Sequence, residues 1–207
     1  MKTKENKAIE LLKKLISTPS FSGEEDKTAQ LLEEFFASNN IEFVRENNNV
    51  WAKNKFFDNS KPTILLNSHH DTVKPNSAYS IDPFLPTEKD GVIYGLGSND
   101  AGASVVSLLT CFVHFYHQEN LKYNLIIAIT AEEESSGANG LNSLLKSLPK
   151  IDFAIVGEPT QMQLAIAEKG LLVLDVVAKG RPGHAAHTNT INPIYKIMED
   201  GRQLDYV

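Results

Sequence analysis

Cysteine is almost absent: Cys111 is the only one in 207 residues, so no intramolecular disulfide is possible and a reducing cytoplasm is the expected compartment. Basic residues are not in excess either. With 20 Lys and Arg against 26 Asp and Glu the net charge is -6, and without a basic patch to attract phosphates, nucleic acid is not an expected partner. Long apolar runs are missing as well. The longest, 125–129 and 171–174, are strand-sized, far short of the ~20 residues of a spanning helix, so no membrane is expected. Residues 1–7 are polar and lead into an amphipathic segment, which does not read as a secretory signal. What is present, 42% hydrophobic and 22% charged residues, is ordinary for a globular protein with room for one good core and part of a second.

Ile9, Leu11, Leu12, Leu15 and Ile16 recur at helical spacing, and Pro19 stops that helix. Ser22 reads as the N-cap of a second helix, with Glu24, Glu25 and Asp26 in its positive first turn and Asn39-Asn40 at its end. Residues 41–45 and 50–53 predict two strands around an Asn-rich turn, and 63–66 a buried parallel strand. Residues 74–89, with Pro75, Pro83 and Pro86, form a long loop of the kind that shapes a pocket. A strand, a glycine-rich turn and a helix to about residue 118 follow from Gly91. Further on, 124–130 predicts a strand, 138–148 a helix, 152–156 a strand, 171–178 a strand and 192–198 a helix.

The chemistry gathers where strands end. His69-His70-Asp71 closes the first buried strand, the usual place for a site in an open α/β sheet. Side chains alternate along an extended segment, so His69 and Asp71 share a face and His70 points the other way. Such an imidazole can bind a metal while the nearby acid orients it. The turn Gly95-Leu96-Gly97-Ser98-Asn99-Asp100 invites a dinucleotide reading, but Asp100 occupies the third glycine position and would repel a phosphate. Asp100 is either a helix cap or a carboxylate placed to bridge two cations. His114 and His117, turns away from the sheet edge, read as structural. Glu132-Glu133-Glu134 follows strand 124–130 directly. Three adjacent acids are commonly a solvated helix start, but at a sheet edge their repulsion asks for cations. Glu158 ends the next strand in the same way.

The ordered set His69-x-Asp71, Gly-Ser-Asn-Asp100, Ala-Glu-Glu133-Glu134-x-x-Gly and Val-Gly-Glu158-Pro resembles the di-zinc deacylases and exopeptidases that include acetylornithine deacetylase, succinyl-diaminopimelate desuccinylase and aminoacylase. The match runs from about Ser17 to His184, and its wording around His69 and Asp100 looks most like the acetylornithine deacetylase branch. The resemblance implies a zinc exopeptidase-like α/β fold: a mixed, mostly parallel sheet flanked by helices. Residues 1–170 would be an incomplete catalytic domain, and 171–207 the start of a smaller α+β lid and dimerisation domain.

It also implies roles. His69 and Glu158 would bind one zinc, Asp100 would bridge both, and Glu134 would bind the second; cobalt or manganese would suit the same ligands. Asp71 would orient His69, and Glu133 would be the general base. His184 is either a surface loop residue or, by the family's Gly-His, a lid residue that stabilises the oxyanion in a partner subunit's site. His187 reads as incidental. The family continues for well over a hundred residues to a last zinc histidine with no counterpart here. The chain is therefore expected to be truncated or frameshifted around Glu199-Asp200-Gly201-Arg202, with the first zinc site intact and the second reduced to Asp100 and Glu134. Two functions follow: a cytoplasmic, homodimeric amidohydrolase of arginine biosynthesis that deacetylates a small N-acyl amino acid such as N-acetylornithine, or a remnant that only binds metal. Within the first, a desuccinylase or aminoacyl dipeptidase is the alternative.

Overall fold

Strand β6 (Asn124–Thr130) has all seven residues buried, because its two faces carry different apolar sets and each set meets its own layer. The computed structural model describes residues 4–167, 169–170, 175–184, 186 and 190–204. Its main sheet has the order β1-β2-β6-β3-β7, comprising β1 (Val44–Glu46), β2 (Asn49–Lys53), β3 (Thr63–His69), β6 and β7 (Phe153–Val156). Strand β3 runs parallel to β6 on one side and to β7 on the other, while β2 and β1 continue the sheet antiparallel. The expected mixed sheet is present, with its parallel part confined to the three strands that end at the motif residues.

Leu125, Ile127 and Ile129 face a layer built from α1 (Lys4–Ile16), α2 (Asp26–Ser38) and α3 (Ser104–Phe115), where Leu12, Leu32, Phe36, Leu109 and Phe112 are buried. Ile126 and Ala128 face the opposite side, with Trp51, Leu65, Leu144 and Leu148. This two-sided burial explains why β3 and β6 read as continuous apolar runs rather than alternating ones. Among the described residues no helix is long and apolar enough to cross a membrane.

Several elements differ from their sequence reading. Ser22 does not cap α2: the helix starts at Asp26 with Glu25 in the N-cap position. The Ser22 hydroxyl instead donates to Asp71 at 2.7 Å, a buried partner that outcompetes a local cap. Asp100 does not cap a helix either, since it sits with extended dihedrals (φ -112°, ψ 99°) inside the irregular turn Ser98–Ala103, and its peptide bond to Ala101 is cis. The helix expected over 138–148 shrinks to α4 (Leu141–Leu144), because residues 132–139 are drawn into a turn by the Glu132 carboxylate, which accepts from Asn139 N and Nδ2 at 3.0 and 2.9 Å. The long loop is interrupted by a small hairpin of β4 (Thr87–Lys89) and β5 (Val92–Tyr94).

The chain divides into two compact units, 1–163 and 164–207. The second contains α5 (Pro193–Leu204), one residue later and several longer than expected, and a bridge between Arg181 and Ile191. Of the strand expected over 171–178, residues 171–174 lie outside the described ones, and 175–178 form no strand among the described residues. His187 also lies outside the described residues.

Candidate metal centre

Strand β3 delivers His69 to the sheet's C-terminal rim, where the backbone N–H of His70 still donates to Thr130 O of β6 at 3.0 Å. His69 is 1% exposed. Its Nδ1 faces Asp71, 3.1 Å from the backbone carbonyl and 3.3 Å from Oδ1. With an Nδ1 proton donated there, the neutral ring that a metal requires would direct its Nε2 lone pair the other way. On that side lie Asp100 Oδ1 at 3.1 Å, Glu158 Oε2 at 3.7 Å and Glu133 Oε2 at 3.8 Å. Donor atoms of His69, Asp100 and Glu134 all fall within 4.8 Å of one another. His70 points away, as the alternation predicts: its Nδ1 meets Thr28 Oγ1 at 2.8 Å and its Nε2 meets Asn48 O at 2.9 Å. Burial lowers its pKa.

Apart from the adjacent Glu133 and Glu134, each carboxylate arrives from a different element. Asp100 comes from the turn after Gly97, which has φ +71° and no room for a Cβ, because that atom would stand 2.6 Å from Thr72 Cγ2. Glu133 and Glu134 follow β6, and Glu158 follows β7, where Gly157 N donates to Asn67 O at 2.7 Å and Ser68 Oγ donates to Gly157 O at 2.8 Å. Asp71, fully buried, accepts from Glu133 N at 3.1 Å, Glu134 N at 3.2 Å and the Ser22 hydroxyl. The sequence reading gave Asp71 only the task of orienting His69; the structure adds a hold on the backbone of both acids.

Five carboxylates thus surround one imidazole. Burial raises the pKa of Glu133, with a further rise from Glu158, Asp71 and Asp100 that the His69 charge opposes. Glu134 is raised by burial and then by Asp100. For His69 burial works against the charged ring, yet Asp71 and Glu158 outweigh it and push the pKa up to about 11. The cluster therefore holds protons where a cation would relieve the same repulsion. One imidazole and several carboxylates at mutual ligand distance, with the imidazole anchored through its second nitrogen, fit a divalent metal such as zinc.

The remaining expectations sort clearly. Glu132 is turned out of the cluster toward Asn139. His114 and His117 sit at the end of α3 in edge contacts with Phe115 and Tyr116. His184 belongs to the unit 164–207, where its Nδ1 accepts from Ala186 N at 3.2 Å. Sequence reasoning passed over Glu25 and Asn48, whose burial and partners come from segments distant in the chain, a relation that no local pattern carries.

The model of peptidase family M20/M25/M40 matches residues 65–202, about two thirds of the chain. The chain belongs to this family. Among curated proteins it is 29% identical over 209 residues to a succinyl-diaminopimelate desuccinylase of Wolbachia pipientis wMel, covering 92% of this chain and 52% of that protein. A desuccinylase of Nautilia profundicola is 30% identical over 203 residues, with 92% and 54% covered. The chain thus spans about half the length of these relatives. Of solved structures, the M20 family metallo-carboxypeptidase Sso-CP2 from Sulfolobus solfataricus matches with a TM-score of 0.61 at 25% identity, over 76% of this chain and 37% of that one. A dinuclear metal binding M20 peptidase from Bacillus subtilis matches with a TM-score of 0.56 at 17% identity, over 74% and 42%, which speaks for the fold alone. The M20 peptidases and desuccinylases that the chain resembles are metal-dependent hydrolases of amide bonds. The two curated relatives are named for desuccinylation, not for the acetylornithine branch that the motif wording suggested.

Proposed function

We propose that this chain carries the metal-binding half of an amidohydrolase that removes an N-acyl group from a small amino acid, with N-succinyl-diaminopimelate as the first substrate class to test. The observation that carries the reading is the convergence of His69, Asp100, Glu134 and Glu158, with Glu133 beside them, at one rim of the parallel strands. His69 and Glu158 are assigned to one cation, Glu134 to a second, and Asp100 to both, with zinc the leading candidate. A bound cation pair would polarise the scissile carbonyl and acidify the attacking water.

Glu133 is assigned as general base. Its carboxylate lies next to the ligand atoms yet is 55% exposed, so it can reach a substrate, and its raised pKa suits proton exchange nearer neutrality. It would take the proton from the attacking water and return it to the leaving nitrogen. Asp71 fixes the ring of His69. By resemblance, residues 171–207 begin a lid, and His184 would stabilise the oxyanion from a second copy. Acetyl remains the second acyl group, favoured by the wording of the His69 and Asp100 motifs.

Metal analysis of the purified chain, coupled to hydrolysis assays with N-succinyl-diaminopimelate and N-acetylornithine, tests the reading. Two metals with turnover of the succinyl substrate supports it, and preferential turnover of the acetyl substrate moves it to the deacetylase branch. One metal without turnover would show a chain that only binds metal. No metal overturns the assignment.

A further inference from the structure

Glu25 is a charged residue with no exposed surface, and it lies outside the ligand set and the assigned chemistry. Burying a carboxylate is costly unless donors satisfy it. Its donors come from three separate places. Oε1 accepts from Gly23 N at 2.6 Å, in the turn before α2, and from Glu132 N at 3.2 Å, in the acid turn after β6. Oε2 accepts from Asn48 Nδ2 at 2.9 Å, in the turn between β1 and β2. Asn48 is itself fixed, since its Oδ1 accepts from Arg45 at 2.9 Å and its backbone carbonyl faces His70 Nε2.

The acid turn needs such a hold. Glu132 has φ +54°, a left-handed conformation that a non-glycine residue adopts only when its surroundings enforce it. The next two N–H groups, of Glu133 and Glu134, are caught by Asp71. Three consecutive backbone donors therefore point at two buried carboxylates: Glu25 takes the first, and Asp71 the second and third. Displacement of the first would rotate the peptide that leads into Glu133 and Glu134, and with it their aim toward His69.

We propose that Glu25 is a positioning residue that fixes the start of the acid turn and thereby sets the geometry with which Glu134 reaches a metal beside His69 and Asp100. The proposal rests on the metal-site reading given above. In Glu25→Gln the volume is kept, but one acceptor oxygen becomes an amide donor facing N–H groups. Outer partners of metal ligands typically contribute 10–100-fold in affinity, so zinc should bind about 10-fold or more weakly, and the visible band of the cobalt form should shift in position or intensity.

The test is isothermal titration of the full 207-residue chain with zinc, and with cobalt for the spectrum, at a temperature where circular dichroism shows every variant folded. Asn48→Ala, which removes the donor to Oε2, should weaken zinc in the same direction. Asn54→Ala serves as the control: it removes the buried acceptor of Leu125 N at 2.8 Å, at the far end of β6 from the acid turn, and should lower Tm without changing zinc affinity. Zinc affinity and cobalt spectrum unchanged in Glu25→Gln, with only Tm reduced, overturn the proposal and leave Glu25 a plain tether. If Glu25→Gln does not fold, wild-type affinity in Asn48→Ala overturns it just as well. A wild-type chain that takes up no zinc removes the underlying site reading and the proposal together, which is a different result from a wild type that binds while the variants match it.

Discussion

The acidic cluster has a wall and a mouth. His69 and Asp71 form the wall, 1% and 0% exposed, and their polar atoms are held by Ser22, by each other and by the backbone of the acid turn. Asp100 and Glu133 form the mouth, each 55% exposed on its side chain. Hydrogen bonds in the buried wall act in a low dielectric and carry a high penalty when one partner is lost. Mouth carboxylates are solvated and can adjust around a ligand. The contrast divides the labour: the wall should set how firmly His69 holds a metal, Asp100 should reach that metal from the mouth, and Glu133 should act on a substrate beside it.

The largest effect should come from the mouth. In a family-length form of the protein, Glu133→Gln is expected to lower kcat by about 10²- to 10⁴-fold, the usual contribution of a positioned base, with metal content unchanged. Parallel metal analysis and steady-state kinetics check this, and metal lost along with activity would make Glu133 a ligand and dissolve the division. The next effect belongs to the wall. Asp71→Ala leaves Glu133 N, Glu134 N and the Ser22 hydroxyl without their buried acceptor and leaves His69 Nδ1 only the backbone carbonyl of residue 71. Metal affinity should fall about 10–100-fold, and stability by roughly 1–3 kcal/mol. Titration calorimetry and denaturant unfolding measure the two. A change in only kcat would place Asp71 on the wrong side of the comparison.

How much of this was legible in the sequence follows from what each residue depends on. Strands β3 and β6 were readable because burial on both faces makes them continuously apolar, and the rim position of His69, Asp100, Glu133 and Glu158 was readable because each ends or directly follows a strand or its glycine turn. β7 was read equally well as a strand, yet Phe153, Ile155 and Val156 are 62%, 45% and 56% exposed, since burial depends on neighbours that composition does not specify. Ser22 was misread for the same reason. A serine ahead of acids is a good local cap, and only the fold reveals that Asp71, 49 positions away, takes its hydroxyl. The short α4 was hidden by the reach of Glu132 to Asn139, a turn that helical periodicity cannot foresee. Glu25 looked like one more acid in a first helical turn, and its burial is a meeting of three distant segments.

The remaining effect is graded with pH, about tenfold in each unit, and concerns the His69 ring of the wall. In the metal-free protein burial disfavours the charged His69 ring, but Asp71 and Glu158 overcome it and raise its pKa to about 11, against roughly 6.5 in an unfolded chain. The stability contributed by that proton is complete below pH 6.5 and is lost as pH rises toward 11. A metal must expel the same proton to reach Nε2, so uptake should release about one proton and affinity should rise about tenfold per pH unit between pH 7 and 9. Cobalt titrations against a competing chelator at three pH values, repeated in buffers of different ionisation enthalpy, measure the slope and the proton count. Raising the pH should therefore weaken the metal-free chain while strengthening its hold on metal. A flat profile without proton release would mean that the ring is already neutral before metal arrives.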